Sequence, residues 1–169
     1  MQCGFVIKSN RSESVLLLGR QEQKNLSQWL KRTIVDHLFV FNTTQGVYLF
    51  LAEEHCSVWL EEQLNIYLQE KIPGTYVLHN QSNNFHFFNE EVGQILQDER
   101  NSSLRWKNFI SSFLGQLNPF VGDSIAIATL FKSFVGMVKL SGTTVQLDYL
   151  KRKMNLFRER VDLGDLLET

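Results

Sequence analysis

The stretch Phe113–Ser141 reads FLGQLNPFVGDSIAIATLFKSFVGMVKLS and contains two apolar helical patterns separated by a short polar interruption. Pro119 cannot continue a helix, because it lacks a backbone N–H and its ring clashes with the preceding turn. Gly122 permits backbone conformations that other residues avoid, and Asp123 or Ser124 can cap a second helix. The stretch therefore predicts two helices joined by a tight turn. That turn either presents helix N-terminal amides to a phosphate or only fills a core as an αα-hairpin.

The composition is that of a globular chain of one domain or two small ones: 169 residues, 43% hydrophobic and 21% charged. Residues 1–100 carry 8 Lys or Arg against 12 Asp or Glu, whereas residues 101–169 carry 9 against 6. This modest asymmetry favours a binding module of the cytosol or nucleus over a histone-like polycation. Cys3 and Cys56 are too few for a disulfide framework and lack a metal-ligand spacing. We expect neither a signal peptide nor a membrane span.

The first hundred residues alternate β-type runs with helical patterns, which favours an α/β sheet covered on its faces. A loop of five residues ending in Gly46 separates the β-type runs Leu38–Phe41 and Val47–Leu51. A loop of that length suits a hairpin, and a crossover is the alternative. The predicted strands are Cys3–Ile7, Val15–Leu18, Leu38–Phe41, Val47–Leu51 and Thr75–His79. The predicted helices are Gln21–His37, Val58–Lys71 with Ser57 as its cap, and a third from Glu90 through Leu96.

A domain boundary is predicted near Arg100–Leu104, because no strand pattern follows it. Helices are predicted at Leu104–Leu114, in the two halves of the quoted stretch, and at Thr144–Arg160. We therefore expect an α/β domain of residues 1–103 and a small all-helical domain of residues 104–169. A helical domain of this size folds when it packs against a neighbour.

Catalytic candidates are few. Glu53, Glu54 and His55 follow a predicted strand, where α/β sheets often carry functional groups, and the alternative is a solvated loop. The run Asp98–Arg100 superficially suggests a two-metal nuclease, but it falls at a predicted helix end instead of on adjacent strands. The chain has no Gly-rich phosphate loop and no nucleophile elbow. The sequence therefore predicts no catalytic residue, no metal ligand and no cofactor.

Basic residues gather in the predicted helical domain, where three are consecutive and two flank Trp106. Cations on helices suit contact with a phosphate backbone, which positions a protein without reading bases. The alternative is an ordinary solvated helix face. The candidates for DNA contact are Arg105, Lys107, Lys132, Lys151, Arg152 and Lys153.

Apolar residues recur near helical spacing towards the end of the chain, at Leu147, Leu150, Met154 and Phe157. Such a surface must be buried, either by the chain's own core or by a partner. Because the helical domain is small, we expect a partner chain to cover these four residues.

The order of an α/β unit followed by helices resembles the non-catalytic partner subunits of the XPF family of structure-specific nucleases. Those proteins join a nuclease-like α/β domain without metal ligands to a tandem helix-hairpin-helix. The quoted stretch resembles the family's first hairpin unit. The run GVYLFLAEEHCSVWLEEQLNIYLQEKIPGTYVLHN, residues 46–80, resembles the central strand–helix–strand of its smallest members. These include the meiotic Zip–Spo-type subunit and the Fanconi-associated XPF-like subunit.

The sequence departs from the family pattern at three places. The nuclease motif, Gly-Asp followed by Glu-Arg-Lys and then Asp, is absent, which implies no cutting activity. Asn118-Pro119 stands where the family usually has Pro-Gly, and the expected second hairpin, Tyr149–Arg158, has no Gly. Pro119 removes an amide that would otherwise meet a phosphate.

The resemblance implies an α/β fold: a nuclease-like sheet flanked by helices, followed by a small all-α helix-hairpin-helix domain. It implies a nuclear subunit without enzymatic activity that pairs with a larger XPF-like chain as a heterodimer. That pair would help bind branched DNA, or junctions of single-stranded and double-stranded DNA, in meiotic recombination or DNA repair. The alternative is a protein-interaction adaptor of the same architecture with no direct DNA contact.

Overall fold

A computed structural model describes residues 2–9, 16–33, 39–44, 46–51, 57–72, 76–80, 84–97, 102–117 and 125–158. This part of the chain is α/β and mostly helical, with a four-stranded antiparallel sheet and six helices, which confirms the predicted α/β class. The chain divides into two compact units, residues 1–85 and 86–169. The domain boundary predicted after residue 103 lies one helix further along the chain than this division, and it stays a prediction.

The first unit holds the whole sheet and two helices. Its strands lie in the order β2-β3-β1-β4, and all three neighbouring pairs are antiparallel. The hairpin is therefore the correct one of the two connections considered between Leu38–Phe41 and Val47–Leu51. The elements are β1 (Gln2–Ser9), α1 (Arg20–Thr33), β2 (Phe39–Asn42), β3 (Val47–Leu51), α2 (Val58–Lys71) and β4 (Tyr76–Asn80).

Side chains alternate along β3, so the sheet has two apolar faces. Val47, Leu49 and Leu51 belong to one core with leucines of both α1 and α2, so both helices pack on the same face. Tyr48 and Phe50 point to the opposite face, where they stack on the aromatic rings of β2. The residues of that opposite face are buried to 2% exposure or less: Val6, Phe39, Phe41, Tyr48 and Phe50. Strands β2 and β3 are thus buried on both faces, whereas the edge strand β4 is partly exposed, with Val77 at 38%.

The strand predicted at Val15–Leu18 is wrong for its described residues, which form a loop before α1. Leu17 and Leu18 are buried there without pairing into the sheet. The Leu17 N–H donates to the Thr43 carbonyl oxygen at 2.9 Å. The Asn42 side chain accepts from the Leu18 N–H at 3.1 Å and donates to the Leu18 carbonyl oxygen at 2.8 Å. The continuous apolar run predicted a buried strand, but a buried loop needs the same apolar residues, so the run does not distinguish the two.

The described part of the second unit is helical. The Gly142-Thr143 turn between its last two helices carries a capping box. The Thr143 N–H donates to the Gln146 side-chain oxygen at 2.8 Å, and the Gln146 N–H donates to the Thr143 hydroxyl at 3.3 Å. A side chain on Gly142 would overlap the Val138 carbonyl oxygen, so the turn requires glycine. The helices are α3 (Asn84–Gln97), α4 (Ser102–Leu117), α5 (Ile125–Ser141) and α6 (Thr144–Arg158).

Two sequence expectations concern the turns of this unit. The tight turn predicted around Pro119 and Gly122 lies outside the described residues. Residues Tyr149–Arg158, where the resemblance places a second hairpin, belong to the uninterrupted helix α6. The described helices all fall short of the length and apolar character that a membrane crossing requires.

Candidate nucleic-acid interface

An edge-on aromatic pair joins α4 to α6. The ring centres of Trp106 and Tyr149 lie 5.0 Å apart with their planes at 86°. Trp106 is 2% exposed, so its indole belongs to the core of the unit. The Tyr149 hydroxyl lies 2.7 Å from the hydroxyl of Ser111, which also belongs to α4. Ring packing and a hydrogen bond together fix the position of the Tyr149 side chain.

Two of the predicted DNA-contact residues meet at this ring. The Lys107 ammonium nitrogen lies 5.9 Å from the Tyr149 ring centre and 5.6 Å from that of Trp106. The Lys153 ammonium nitrogen lies 5.6 Å from the Tyr149 ring centre. Each cation is attracted by the negative face of an aromatic ring, an interaction of about 0.5–1 kcal/mol at an exposed site. Trp106, Lys107, Tyr149 and Lys153 are called the Tyr149 cluster below.

Helix geometry explains part of this arrangement. Tyr149 and Lys153 are four residues apart on α6, so they share one face of that helix. Lys151 and Arg152 are exposed, and the Arg152 guanidinium Nε donates back to the Asp148 carbonyl oxygen at 3.3 Å. The meeting of Lys107 with Lys153 comes from the packing of α4 on α6 and has no counterpart in the sequence pattern.

The remaining predicted cations lie elsewhere. Arg105 is exposed on α4 next to Trp106, and Lys132 is exposed on α5, which contributes no side chain to the Tyr149 cluster. The structure therefore brings together two of the six predicted DNA-contact residues, while the other four are solvent-exposed on the same set of helices.

The helices around the Tyr149 cluster are strongly basic. Residues 104–158 contain eight Lys or Arg and two Asp, which gives a net charge of +6. Neither α4 nor α5 contains an acidic residue. Residues 101–169 as a whole carry only +3, because residues 159–169 contain four Asp or Glu against one Arg. A surface charge of this kind attracts polyanions.

The four predicted partner contacts differ in exposure. Leu150 is only 2% exposed, so it belongs to the core of its own chain. Leu147 and Met154 are half-buried, and Phe157 is not among the side chains that the structure describes. That a partner covers this surface stays a prediction.

Sequence reasoning missed the exposed apolar residues beside the Gly142-Thr143 turn, where Leu140 is 90% and Val145 63% exposed. They lie at the end of α5 and the start of α6, on either side of the Gly142-Thr143 turn. No periodic signal marks them, because Leu140 continues the apolar pattern of α5 and its outward direction depends on how α5 packs.

The candidate catalytic residues Glu53, Glu54 and His55 lie outside the described residues, as does Asp98–Arg100. Over the ranges that the structure does describe, no three His, Cys, Asp or Glu side chains come together as metal ligands. The chain was compared with protein-family models, with curated proteins and with solved structures, and no match was found. The observations that bear on function are therefore the Tyr149 cluster, the charge around it and the exposed apolar residues.

Proposed function

We propose that this chain is the non-catalytic subunit of an XPF-like heterodimer and helps a larger XPF-like chain bind branched DNA in the nucleus. In this proposal the sheet unit is a nuclease-like domain without cutting chemistry, and the helical unit acts as a helix-hairpin-helix domain. Meiotic recombination and DNA repair are the processes that use such DNA. The single observation that carries DNA contact is the meeting of Lys107 and Lys153 at the Tyr149 ring, 5.9 and 5.6 Å from its centre.

The Tyr149 cluster suits a phosphate backbone. A DNA duplex carries one negative charge per roughly 1.7 Å of its axis, so two cations on neighbouring helices can meet successive phosphates. The ring contact holds each ammonium group no more than 5.9 Å from the Tyr149 ring centre, and restricting these side chains lowers the entropy lost on binding. Backbone contacts of this kind carry no base information, and they suit a protein that recognises the shape of a junction.

The test is the affinity of the full chain for branched DNA, measured by fluorescence anisotropy over a salt series. Replacing both lysines with glutamine, Lys107→Gln together with Lys153→Gln, is expected to weaken binding about tenfold. We expect the salt slope to fall by about one for each lysine. The matched control, Lys24→Gln with Lys31→Gln on α1, removes the same charge from the other unit and is expected to leave both quantities unchanged. Equal affinities and slopes for the two double variants would contradict DNA contact by this cluster.

A second candidate function is a protein-interaction adaptor with no DNA contact, which Leu140 and Val145 favour. Two exposed apolar side chains next to one turn suit contact with another protein more than contact with phosphates. In that case Lys107 and Lys153 only stabilise the packing of α4 on α6. The test is which chains co-purify with the protein. If it is an adaptor, the Leu140→Ser, Val145→Ser variant is expected to lose the partner chain that co-purifies with the natural chain. The Lys107→Gln, Lys153→Gln variant is expected to retain that partner.

A further inference from the structure

Helices α1 and α2 border a cleft of about 330 Å³ within the first unit. Trp29 of α1 and Tyr67 of α2 line it, with ring centres 4.6 Å apart and planes inclined by 30°. Both side chains are half-buried, packing partly against the core of the unit. The volume lies near the lower end of the range for small-molecule sites, about 300–1,000 Å³. The cleft therefore has an aromatic lining and room for a group the size of one nucleotide.

Two cations line the same cleft, each in the last turn of its helix: Arg32 of α1 and Lys71 of α2. Within the described residues Arg32 makes no ion pair and no side-chain hydrogen bond. Lys71 is 3.9 Å from the Glu70 carboxylate, with both side chains 62% exposed, and such a pair is weak. Stabilising a helix C-terminus explains each cation separately. It does not explain why both border one aromatic cleft.

Glu22 is the acidic residue of the lining, and its carboxylate has another role. Its Oε2 accepts a hydrogen bond from the Gly19 N–H at 2.7 Å, at the start of α1. Burial, and to a lesser extent the nearby Glu22, raises the pKa of Tyr67 above its ordinary value. The Tyr67 phenol is therefore neutral near pH 7 and can both donate and accept a hydrogen bond. Arg32 and Lys71 against Glu22 leave the lining with a net charge of +1.

Two side-chain amides complete the lining. Asn25 accepts from the Gln21 amide at 2.8 Å, which orients the Asn25 side chain and leaves its NH₂ group as a donor. Gln28 makes no side-chain hydrogen bond in the part of the chain that the structure describes. Amide side chains match the paired donors and acceptors on the edge of a nucleobase.

We propose that this cleft binds a nucleotide, with the base stacked on the Trp29–Tyr67 pair and the phosphate held by Arg32 and Lys71. Aromatic stacking combined with cations is how proteins hold single nucleotides without strong sequence preference. The ligand is either a free mononucleotide or one nucleotide of a single strand. This inference uses residues of the first unit alone and does not rest on the function proposed above.

The test follows the fluorescence of Trp29 in a full chain whose other two tryptophans are replaced, Trp59→Phe with Trp106→Phe. We expect AMP to quench this fluorescence saturably. Adenosine, which lacks the phosphate, and ribose 5-phosphate, which lacks the base, should each bind about tenfold more weakly. Isothermal titration calorimetry of AMP into the unsubstituted chain repeats the measurement without the substitutions, in case Trp106→Phe impairs folding.

The decisive variant is Arg32→Gln, which is expected to weaken AMP binding about tenfold. Its matched control is Arg20→Gln, the same change at an exposed position at the start of α1, which is expected to leave binding unchanged. A short 5′-phosphorylated single strand that binds more tightly than AMP identifies the strand as the ligand, and the reverse order identifies the free nucleotide.

Three results would overturn the inference: no saturable binding of AMP or the strand, inorganic phosphate binding as well as AMP, or equal effects of Arg32→Gln and Arg20→Gln. Loss of junction binding in the Lys107→Gln, Lys153→Gln variant leaves the AMP measurement unaffected, so failure of one proposal is distinguishable from failure of the other.

Discussion

The hydroxyl groups of Ser111 and Tyr149 lie 2.7 Å apart, and this hydrogen bond joins α4 to α6 beside the two lysines. It positions the ring on which the ammonium groups of Lys107 and Lys153 converge. The hydrogen bond and the ring can be removed separately, so their contributions can be measured separately.

Tyr149→Phe keeps the ring and removes the hydrogen bond, so it is expected to lower the free energy of unfolding by about 0.5–1.5 kcal/mol. Tyr149→Ala also removes the ring contact with Trp106 and is expected to cost about 3 kcal/mol. Urea denaturation of the two variants measures both values. Equal losses would mean that the ring contributes nothing to the packing of α4 on α6.

Two glycines of the same region are expected to respond in opposite directions to alanine. Gly142→Ala places a side chain against the Val138 carbonyl oxygen and is expected to cost about 1–3 kcal/mol of stability. Gly136→Ala, within α5, meets nothing within 4 Å and is expected to stabilise the chain by about 0.5–1 kcal/mol. Thermal or urea unfolding of both variants checks the pair, and a stabilising Gly142→Ala would show that the turn relaxes.

The Gln146 side chain supports the start of α6 from a buried position. It is 2% exposed, accepts the Thr143 N–H at 2.8 Å and donates to the Leu96 carbonyl oxygen at 3.4 Å. Gln146→Ala leaves the Thr143 N–H and the Leu96 carbonyl oxygen without this partner. It is therefore expected to lower the free energy of unfolding, measured by urea denaturation, by about 1–3 kcal/mol. Asn155→Ala, an exposed change on the same helix, serves as the control and should alter stability by less than about 0.5 kcal/mol.

Alkaline pH is expected to destabilise the first unit through Tyr67. Burial and Glu22 raise the pKa of Tyr67 in the folded chain, so the folded chain retains a proton that the unfolded chain loses above about pH 10. Stability therefore falls as the pH rises through that range. Denaturation between pH 8 and 11 should show a steeper fall for the natural chain than for Tyr67→Phe, and parallel curves would refute this assignment.

The sequence predicted elements best where the signal is local. Helix α2 was predicted at its observed bounds, and the Ser57 hydroxyl caps it by accepting the Leu60 N–H at 3.3 Å. The β2–β3 hairpin was likewise visible in the loop that ends at Gly46. Helix α3 begins at Asn84, before its predicted start at Glu90, because aromatic residues gave no clear helical start signal.

The site was less predictable, because it depends on contacts distant in sequence. The six candidate cations could be identified from the sequence. Only the packing of α4 on α6 brings two of them, Lys107 and Lys153, to the Tyr149 ring. Leu150 and Leu140 are equally apolar in the sequence, yet one is 2% exposed and the other 90%. Which apolar residue faces outwards is decided by the neighbouring helices and not by its own periodicity.

The most direct test of DNA contact by the helical unit reverses the charge of Lys151, Arg152 and Lys153 together in the full chain. Affinity for branched DNA is then measured between 50 and 200 mM salt. The proposed function predicts tight, salt-dependent binding by the natural chain, and a variant whose affinity falls more than about tenfold and whose salt slope is lower by about three. An affinity and a salt slope that do not change on this triple reversal would contradict it.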